Sequence, residues 1–142
     1  MNPLAIFNAQ KRSRYISRML KSCKQAFGDP VSTVPIFVLG IQRSGTTMLM
    51  FAFHLHPEIA VYDESRDSPS FLDFRLRSLP NTENLVCTSP FPEACFKPLA
   101  DSHITTQLLE HFPAALCIWA LREYSDDANS FLRKFPHATK AL

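Results

Sequence analysis

Hydrophobic residues in this chain form short apolar runs that alternate with segments of helical periodicity. The first run, Val34 to Leu39, is rich in β-branched and aromatic side chains, which is typical of a buried strand. A loop that contains Gly40 and Gly45 follows it. The next segment, Met48 to Leu55, is apolar on all sides, as expected for a helix buried under a sheet. The pattern therefore predicts a strand, a tight loop and a helix.

The alternation continues along the rest of the chain. Further strands are predicted at Ile59 to Tyr62, Ala94 to Lys97 and Ala115 to Leu121, the last of which is buried on both faces because it is apolar throughout. Helices are predicted from Ser68-Pro69 to about Leu79, from a cap at Asp101 or Ser102 to His111, and from Asp126 to Phe135 with Ser125 as the cap. His56-Pro57 ends the helix that follows the glycine loop, and Asn81 to Pro92 is predicted to be a loop. Strands alternating with helices indicate an α/β fold with a parallel sheet flanked by helices.

Residues 1–30 differ in composition from residues 31–142, which we interpret as the α/β domain. Six basic residues between Lys11 and Lys24 are opposed by Asp29 alone, and the apolar positions recur at helical spacing. Residues 11–24 could make a weak contact with an anionic membrane surface or act as a targeting segment. The favoured interpretation is a helix that packs on the domain or is loosely ordered.

Composition narrows the class of protein. The chain has 142 residues, 46% of them hydrophobic and 20% charged, as in a globular domain with its own core. A formal net charge of +2 gives no indication of a nucleic-acid partner, and none is predicted. The four cysteines form no CxxC pair, and His54 and His56 have no third residue at metal-ligand spacing. We predict a reduced, metal-free, cytoplasmic protein, whose longest apolar run, Ala114 to Leu121, is too short to span a bilayer.

The glycine loop carries the first candidate chemistry. Its two glycines are five residues apart and a pair of hydroxyls follows the second, which is the skeleton of a phosphate-binding loop. A nucleotide triphosphatase would have Lys where this chain has Thr46. The positive charge lies earlier, on Arg43. The loop therefore suits a phosphate but lacks the residue that neutralises a γ-phosphate.

Two further groups follow predicted strands. Glu64 comes just after the strand Ile59 to Tyr62, and ligands of parallel sheets bind outside the carboxyl ends of the strands. Arg122 leaves the end of another strand, and Ser130 lies eight residues later in a helix. A guanidinium with a hydroxyl suits a phosphate, although an arginine and a serine at this spacing are also common on surfaces.

These segments together resemble the sulfotransferases that use 3′-phosphoadenosine 5′-phosphosulfate (PAPS). The stretch PIFVLGxxRSGTT resembles their 5′-phosphosulfate-binding loop, and HPEIAVYDE, CFKPLADS and LREYSDDANS resemble later segments in the family's order, over roughly Pro35 to Phe135. The resemblance implies a three-layer, P-loop-like fold with PAPS as the donor and no metal. It also implies a set of roles: the 5′-phosphosulfate held by Arg43, Ser44, Gly45, Thr46 and Thr47, the 3′-phosphate held by Arg122 and Ser130, Glu64 as the general base, and Lys97 and Arg43 offsetting charge on the transferring group.

The chain also departs from the family's pattern. Family members usually continue well past the point where this sequence stops, so we expect a C-terminal part to be missing and the isolated chain to be at best weakly active. A non-catalytic nucleotide-binding remnant remains an alternative, and a P-loop kinase or nucleotide hydrolase is a further one. The acceptor, whether a small molecule, a glycan or a protein, and the oligomeric state stay open.

Overall fold

The computed structural model describes residue 16 and residues 19–134 of the chain. Its elements, in chain order, are α1 (19–27), β1 (Val34–Gly40), α2 (Thr46–Leu55), β2 (Ile59–Tyr62), β3 (Phe71–Leu72), β4 (Arg75–Leu76), α3 (Leu79–Cys87), β5 (Glu93–Phe96), a 3₁₀ helix (Leu99–Ile104), α4 (Thr105–His111), β6 (Leu116–Ala120) and α5 (Tyr124–Lys134). Residues 1–15, 17, 18 and 135–142 lie outside the described residues, and with them lie the first part of the basic helix predicted over residues 11–24 and the predicted end of the last helix at Phe135.

Four strands form one parallel sheet in the order β2-β5-β1-β6. β1 is central, with Phe37 opposite Phe96 on one side and Cys117 on the other. Because all four strands run the same way, their carboxyl ends lie at one edge of the sheet. The segments after Gly40, Tyr62, Phe96 and Ala120 all leave from that edge.

The two faces of β1 build two halves of the core. Phe37 and Leu39 face a cluster that includes Phe96, Phe112 of the α4 end and Val86 of α3. Ile36 and Val38 face Met50 of α2, Ile59 and Cys95. Successive side chains of β1 point to opposite faces of the sheet, and both faces are covered by helices. The predicted three-layer α/β architecture is therefore confirmed.

The segment between β2 and β5 differs from the prediction. The expected helix from Ser68-Pro69 to Leu79 is wrong, because residues 71–76 form the antiparallel β3–β4 hairpin. The Ser68 hydroxyl accepts from the Phe71 N–H and makes a turn there. The expected loop from Asn81 to Pro92 is also wrong: α3 occupies most of it, with Ser78 as its cap and Pro80 in its first turn. A serine cap with a proline in the first turn does begin a helix here, but the residues are Ser78 and Pro80 and not Ser68 and Pro69.

A buried carboxylate fixes the position of this hairpin. Asp101 was expected to cap a helix, but its two oxygens instead accept from Leu76 N–H and Arg75 Nη1, both at 2.7 Å. Ser102 caps no helix either, since its hydroxyl bonds to Gly40, and a 3₁₀ helix precedes α4. These contacts span 25 residues or more, and local sequence patterns do not encode them.

Burial was overestimated for two elements. Met48 of α2 is 75% exposed, so α2 is buried along one side and not all round. β6 was expected to be buried on both faces, but within the described residues it pairs with β1 alone, and Leu116 and Trp119 are half exposed. An apolar run indicates a strand, but it does not give the strand's place in the sheet.

A charged side chain makes the fixing hydrogen bonds near each end of the described chain. The Lys21 ammonium of α1 donates to three carbonyl oxygens, those of Phe53, His54 and Ile59, at 2.8–3.2 Å. The Phe53 and His54 carbonyl groups lie at the end of α2, where cations are favoured, and that of Ile59 begins β2. At the other end, the Glu123 carboxylate accepts from Asp126 N–H and from the Ser125 hydroxyl, so Glu123 acts at the start of α5 in place of the expected Ser125 cap.

Candidate active site

The loop between β1 and α2 holds three residues in left-handed backbone conformations: Gly40 at φ 136°, Arg43 at φ 76° and Gly45 at φ 92°. Gly40 also has no space for a side chain, because a Cβ there would lie 2.6 Å from the carbonyl oxygen of Ala120. Arg43 is the unusual case, since a long side chain rarely adopts this conformation without compensation. The strain is localised where the sequence places its candidate anion-binding charge.

The loop delivers the N-terminus of α2 to the carboxyl edge of the sheet. Gly45 provides no side-chain cap for this ten-residue helix. The amides of Thr46 and Thr47 open the helix, where backbone N–H groups and the helix dipole favour an anion. Ser44 behaves differently from the expected donor, because its hydroxyl donates to the carbonyl oxygen of Ile41 at 2.7 Å. Ser44 therefore closes the loop on itself.

Most of the site residues inferred from the sequence line one cavity of about 400 Å³ at this edge. They come from the loop and α2 (Arg43, Gly45, Thr46 and Thr47) and from the ends of β2, β5 and β6 (Glu64, Lys97 and Arg122). The strand-end rule thus brings together residues up to 79 positions apart. Ser44 and Ser130 do not line this cavity.

Glu64 is fixed at the wall of this cavity. Its Oε1 accepts from the Ala100 N–H at 3.1 Å, which ties the end of β2 to the 3₁₀ helix. Burial raises the pKa of the Glu64 carboxyl above its ordinary value, and the Ala100 hydrogen bond and the nearby Lys97 charge offset only part of this effect. A carboxylate with a raised pKa in a cavity is a stronger proton acceptor than an ordinary glutamate.

Lys97 follows β5 and lies beside Glu64. Only 12% of its side chain is exposed, and its ammonium is 3.9 Å from Oδ1 of Asp63. The other oxygen of Asp63, Oδ2, is 2.5 Å from Nε2 of His54. His54 itself lines a different cavity, together with Lys21 and Ile59.

A second cavity of about 400 Å³ adjoins the first and shares Arg43, Arg122 and Lys134 with it. Ser130 lines this second cavity, and its hydroxyl accepts from Arg43 Nε at 2.8 Å. The Arg122 guanidinium contacts the Arg43 carbonyl oxygen at 3.4 Å and Asp126 at 3.6 Å. The Arg122 and Ser130 pair inferred from the sequence is therefore close in space, with the Arg43 side chain between the two sites.

Three contributors were missed in the sequence. Ser102 both donates to and accepts from the backbone of Gly40, at 3.0 and 3.2 Å, and so supports the start of the loop. Lys134 adds a cation to both cavities, and Arg133 adds one to the second. The basic end of α5 was visible in the sequence, but the direction of α5 relative to the loop was not. The sequence pattern indicated Ser102 only as a possible helix cap and gave no sign of its hydrogen bonds to Gly40.

Two absences concern only the part of the chain that the structure describes. Over residue 16 and residues 19–134, no group of three or more His, Cys, Asp or Glu side chains is arranged to hold a metal ion. No helix in the same ranges has the length and apolar character needed to cross a membrane.

The fold and this edge define the class: a parallel α/β protein whose glycine loop leads into a helix N-terminus surrounded by cations. Residues 35–94 match the model of the Sulfotransferase family, which confirms over this stretch the resemblance inferred from the sequence and supports a transferase of sulfuryl groups. The matched range contains the loop, α2 and Glu64, and ends before Lys97, Arg122 and Ser130. Comparisons with curated proteins and with solved structures gave no match.

Proposed function

We propose that this protein transfers a sulfuryl group from PAPS to a hydroxyl or amine acceptor. The observation that carries the proposal is the convergence of Arg43, Glu64, Lys97 and Arg122 with the α2 N-terminus on one cavity. Sulfuryl transfer from this donor requires three things of the protein. It must have a site for an anion with several oxygens, a proton acceptor, and a second site for the donor's other anionic group. The family match over residues 35–94 supports the same reaction.

The residues present fit a donor with two separated anionic groups. The 5′-phosphosulfate would lie against the first amides of α2, with Arg43 beside it and Thr46 and Thr47 at the cavity wall. The 3′-phosphate would lie in the second cavity, where Arg122, Ser130 and Asn129 offer donors. The absence of a lysine at Thr46 favours this donor over a nucleoside triphosphate.

PAPS supplies an activated sulfuryl group. In the proposed reaction Glu64 accepts the proton of the acceptor's O–H or N–H group as the new S–O or S–N bond forms. The S–O bond to the 5′-phosphate breaks at the same time, which leaves 3′,5′-adenosine bisphosphate. Lys97 and Arg43 offset the negative charge on the transferring group and on the leaving phosphate. Glu64 is held for this role by Ala100, which fixes one carboxylate oxygen.

A neighbouring cavity favours an acceptor with an apolar body. It has a volume of about 650 Å³, is lined by side chains such as Phe131 and Leu132, and shares Gln42 and Leu99 with the cation-lined cavity that contains Glu64. Ala100, which fixes Glu64, also lines it. A small molecule with an apolar part fits this arrangement better than a highly charged glycan.

Transfer of labelled sulfate from PAPS to a panel of hydroxyl and amine acceptors tests the proposal. The wild type should transfer, and Glu64→Gln should lose about 10²–10⁴ in rate, because removal of a general base typically has this effect. 3′,5′-Adenosine bisphosphate affinity, measured in parallel, should be unchanged in Glu64→Gln. Glu110→Gln, a change on α4 away from the cavity, serves as the control. Full turnover by Glu64→Gln would refute its role, and donor binding with transfer to no acceptor would favour the non-catalytic remnant.

A further inference from the structure

A chain of three polar side chains leads from α2 to the same cation-lined cavity. His54 of α2 is 2.5 Å from Oδ2 of Asp63, and Oδ1 of Asp63 is 3.9 Å from the Lys97 ammonium. His54 and Asp63 are each about two-fifths exposed, whereas the Lys97 side chain is 12% exposed. Lys97 is the member that lines the cavity.

The two oxygens of the Asp63 carboxylate have different partners. One oxygen is taken by His54, which fixes the orientation of the carboxylate group. The other oxygen faces Lys97 at a distance too long for a hydrogen bond, so the attraction is electrostatic. In the described part of the chain the Lys97 ammonium consequently keeps its N–H donors for a ligand.

We infer that Asp63 is a positioning residue that holds the Lys97 ammonium at the cavity for the sulfuryl group, and that His54 holds Asp63 in turn. The inference rests on the proposed function, because the ligand that it assigns to the Lys97 ammonium is the transferred sulfuryl group. It also explains why a lysine with a buried stem does not extend into solvent, as lysines commonly do.

The sign of one substitution separates positioning from simple charge. Asp63 is an anion near an anion-binding cavity, so Asp63→Asn should tighten the binding of every anionic ligand if only the field of the carboxylate matters. If Asp63 positions Lys97, the same change should weaken binding of a ligand that carries the sulfuryl group. The two explanations predict opposite results for PAPS.

The experiment measures binding of PAPS and of 3′,5′-adenosine bisphosphate, which lacks the sulfuryl group, to four proteins by calorimetry. Lys97→Ala should lower the affinity for PAPS about tenfold more than that for the bisphosphate, the lower end for a lost hydrogen bond to a charged group. Asp63→Asn should lower the ratio of the PAPS affinity to the bisphosphate affinity about threefold, because it removes the orientation of the ammonium but keeps the lysine. The double variant should match Lys97→Ala, since a positioning residue has no effect without the residue that it positions.

Controls test the second link and the fold. His54→Ala should reproduce the effect of Asp63→Asn, and His54→Gln, whose amide can donate to Asp63, should restore part of the ratio. His56→Ala changes a nearby exposed histidine, and Asp73→Asn changes a carboxylate whose side chain is 79% exposed and which pairs with exposed Arg66. Neither should alter the ratio. Unchanged melting temperatures keep the comparison valid, and Asp63→Glu replaces Asp63→Asn if the latter unfolds.

The outcomes distinguish this inference from the proposed function. Binding of both ligands by the wild type, with an unchanged or increased PAPS ratio in Asp63→Asn, overturns the inference and leaves the proposed function standing. Additive losses in the double variant overturn it too. Binding of neither ligand by the wild type overturns the proposed function and the inference together.

Discussion

We expect Arg43 to lower the free energy of unfolding through its backbone conformation and to raise anion affinity through its side chain. Its φ of 76° is left-handed, which costs a residue with a side chain about 1–2 kcal/mol. Glycine has no such cost but loses about 0.5–1 kcal/mol more backbone entropy on folding than alanine does. The two variants Arg43→Gly and Arg43→Ala both remove the side chain and its hydrogen bond to Ser130. Their difference therefore isolates the backbone term.

We expect Arg43→Gly to be more stable than Arg43→Ala by about 0.5–1 kcal/mol, the balance of these two terms. Urea denaturation gives this difference directly, and for a domain of this size it corresponds to about 2–4 °C in melting temperature. Gly45→Ala is the reverse control, because φ is 92° there and a Cβ would have open space around it, so its destabilisation would come from conformation alone.

Affinity should follow the side chain and not the backbone. Both Arg43 variants should bind 3′,5′-adenosine bisphosphate more weakly by about 1.5–3 kcal/mol, the range for hydrogen bonds to charged groups. If Arg43→Ala is as stable as Arg43→Gly, the strain argument is refuted. If Arg43→Gly binds as the wild type does, the Arg43 side chain is not a ligand for the anion.

Two further predictions concern stability. Because the pKa of Glu64 is raised in the folded protein, the folded state keeps this proton to a higher pH than the unfolded state, and the wild type loses stability as pH rises through that interval. Glu64→Gln keeps the acceptor for Ala100 N–H, so in urea denaturation it should gain on the wild type at alkaline pH and lose that gain below the ordinary pKa of glutamate; a gain independent of pH would contradict this explanation. Lys21→Met should lower the free energy of unfolding by about 1.5–3 kcal/mol, because three carbonyl oxygens lose a charged donor. Lys24→Met, which changes a lysine over the Phe91 ring, is its control, and equal losses in the two variants would show that the Lys21 hydrogen bonds are not special.

The local sequence was sufficient for the central part of the fold. β1, the loop, α2 and β2 were predicted because an apolar run, two glycines and a proline stop act over a few residues each. The hairpin at residues 71–76 could not be predicted in this way, because Asp101 fixes it from 25 residues away. The exposure of β6 depends on strand order, which no single segment encodes.

The candidate site shows the same division. The rule that ligands bind at the carboxyl ends of parallel strands was enough to group Glu64 with the glycine loop. The side-chain directions were not predictable: the Ser44 hydroxyl turns into its own loop, and Arg43 reaches Ser130 across to α5. Hydrogen bonds of this kind depend on the three-dimensional placement of groups up to 87 residues apart.

The central claim is that this edge of the sheet recognises a 3′-phosphorylated adenosine nucleotide. Calorimetry with 3′,5′-adenosine bisphosphate and with ATP and Mg²⁺ tests it most directly, on the wild type, Arg122→Ala and the control Arg66→Ala, whose side chain is 85% exposed. We predict tighter binding of the bisphosphate, a loss of about 1.5–3 kcal/mol in Arg122→Ala and no change in Arg66→Ala. Tighter binding of ATP, or an equal loss in Arg66→Ala, would contradict the account.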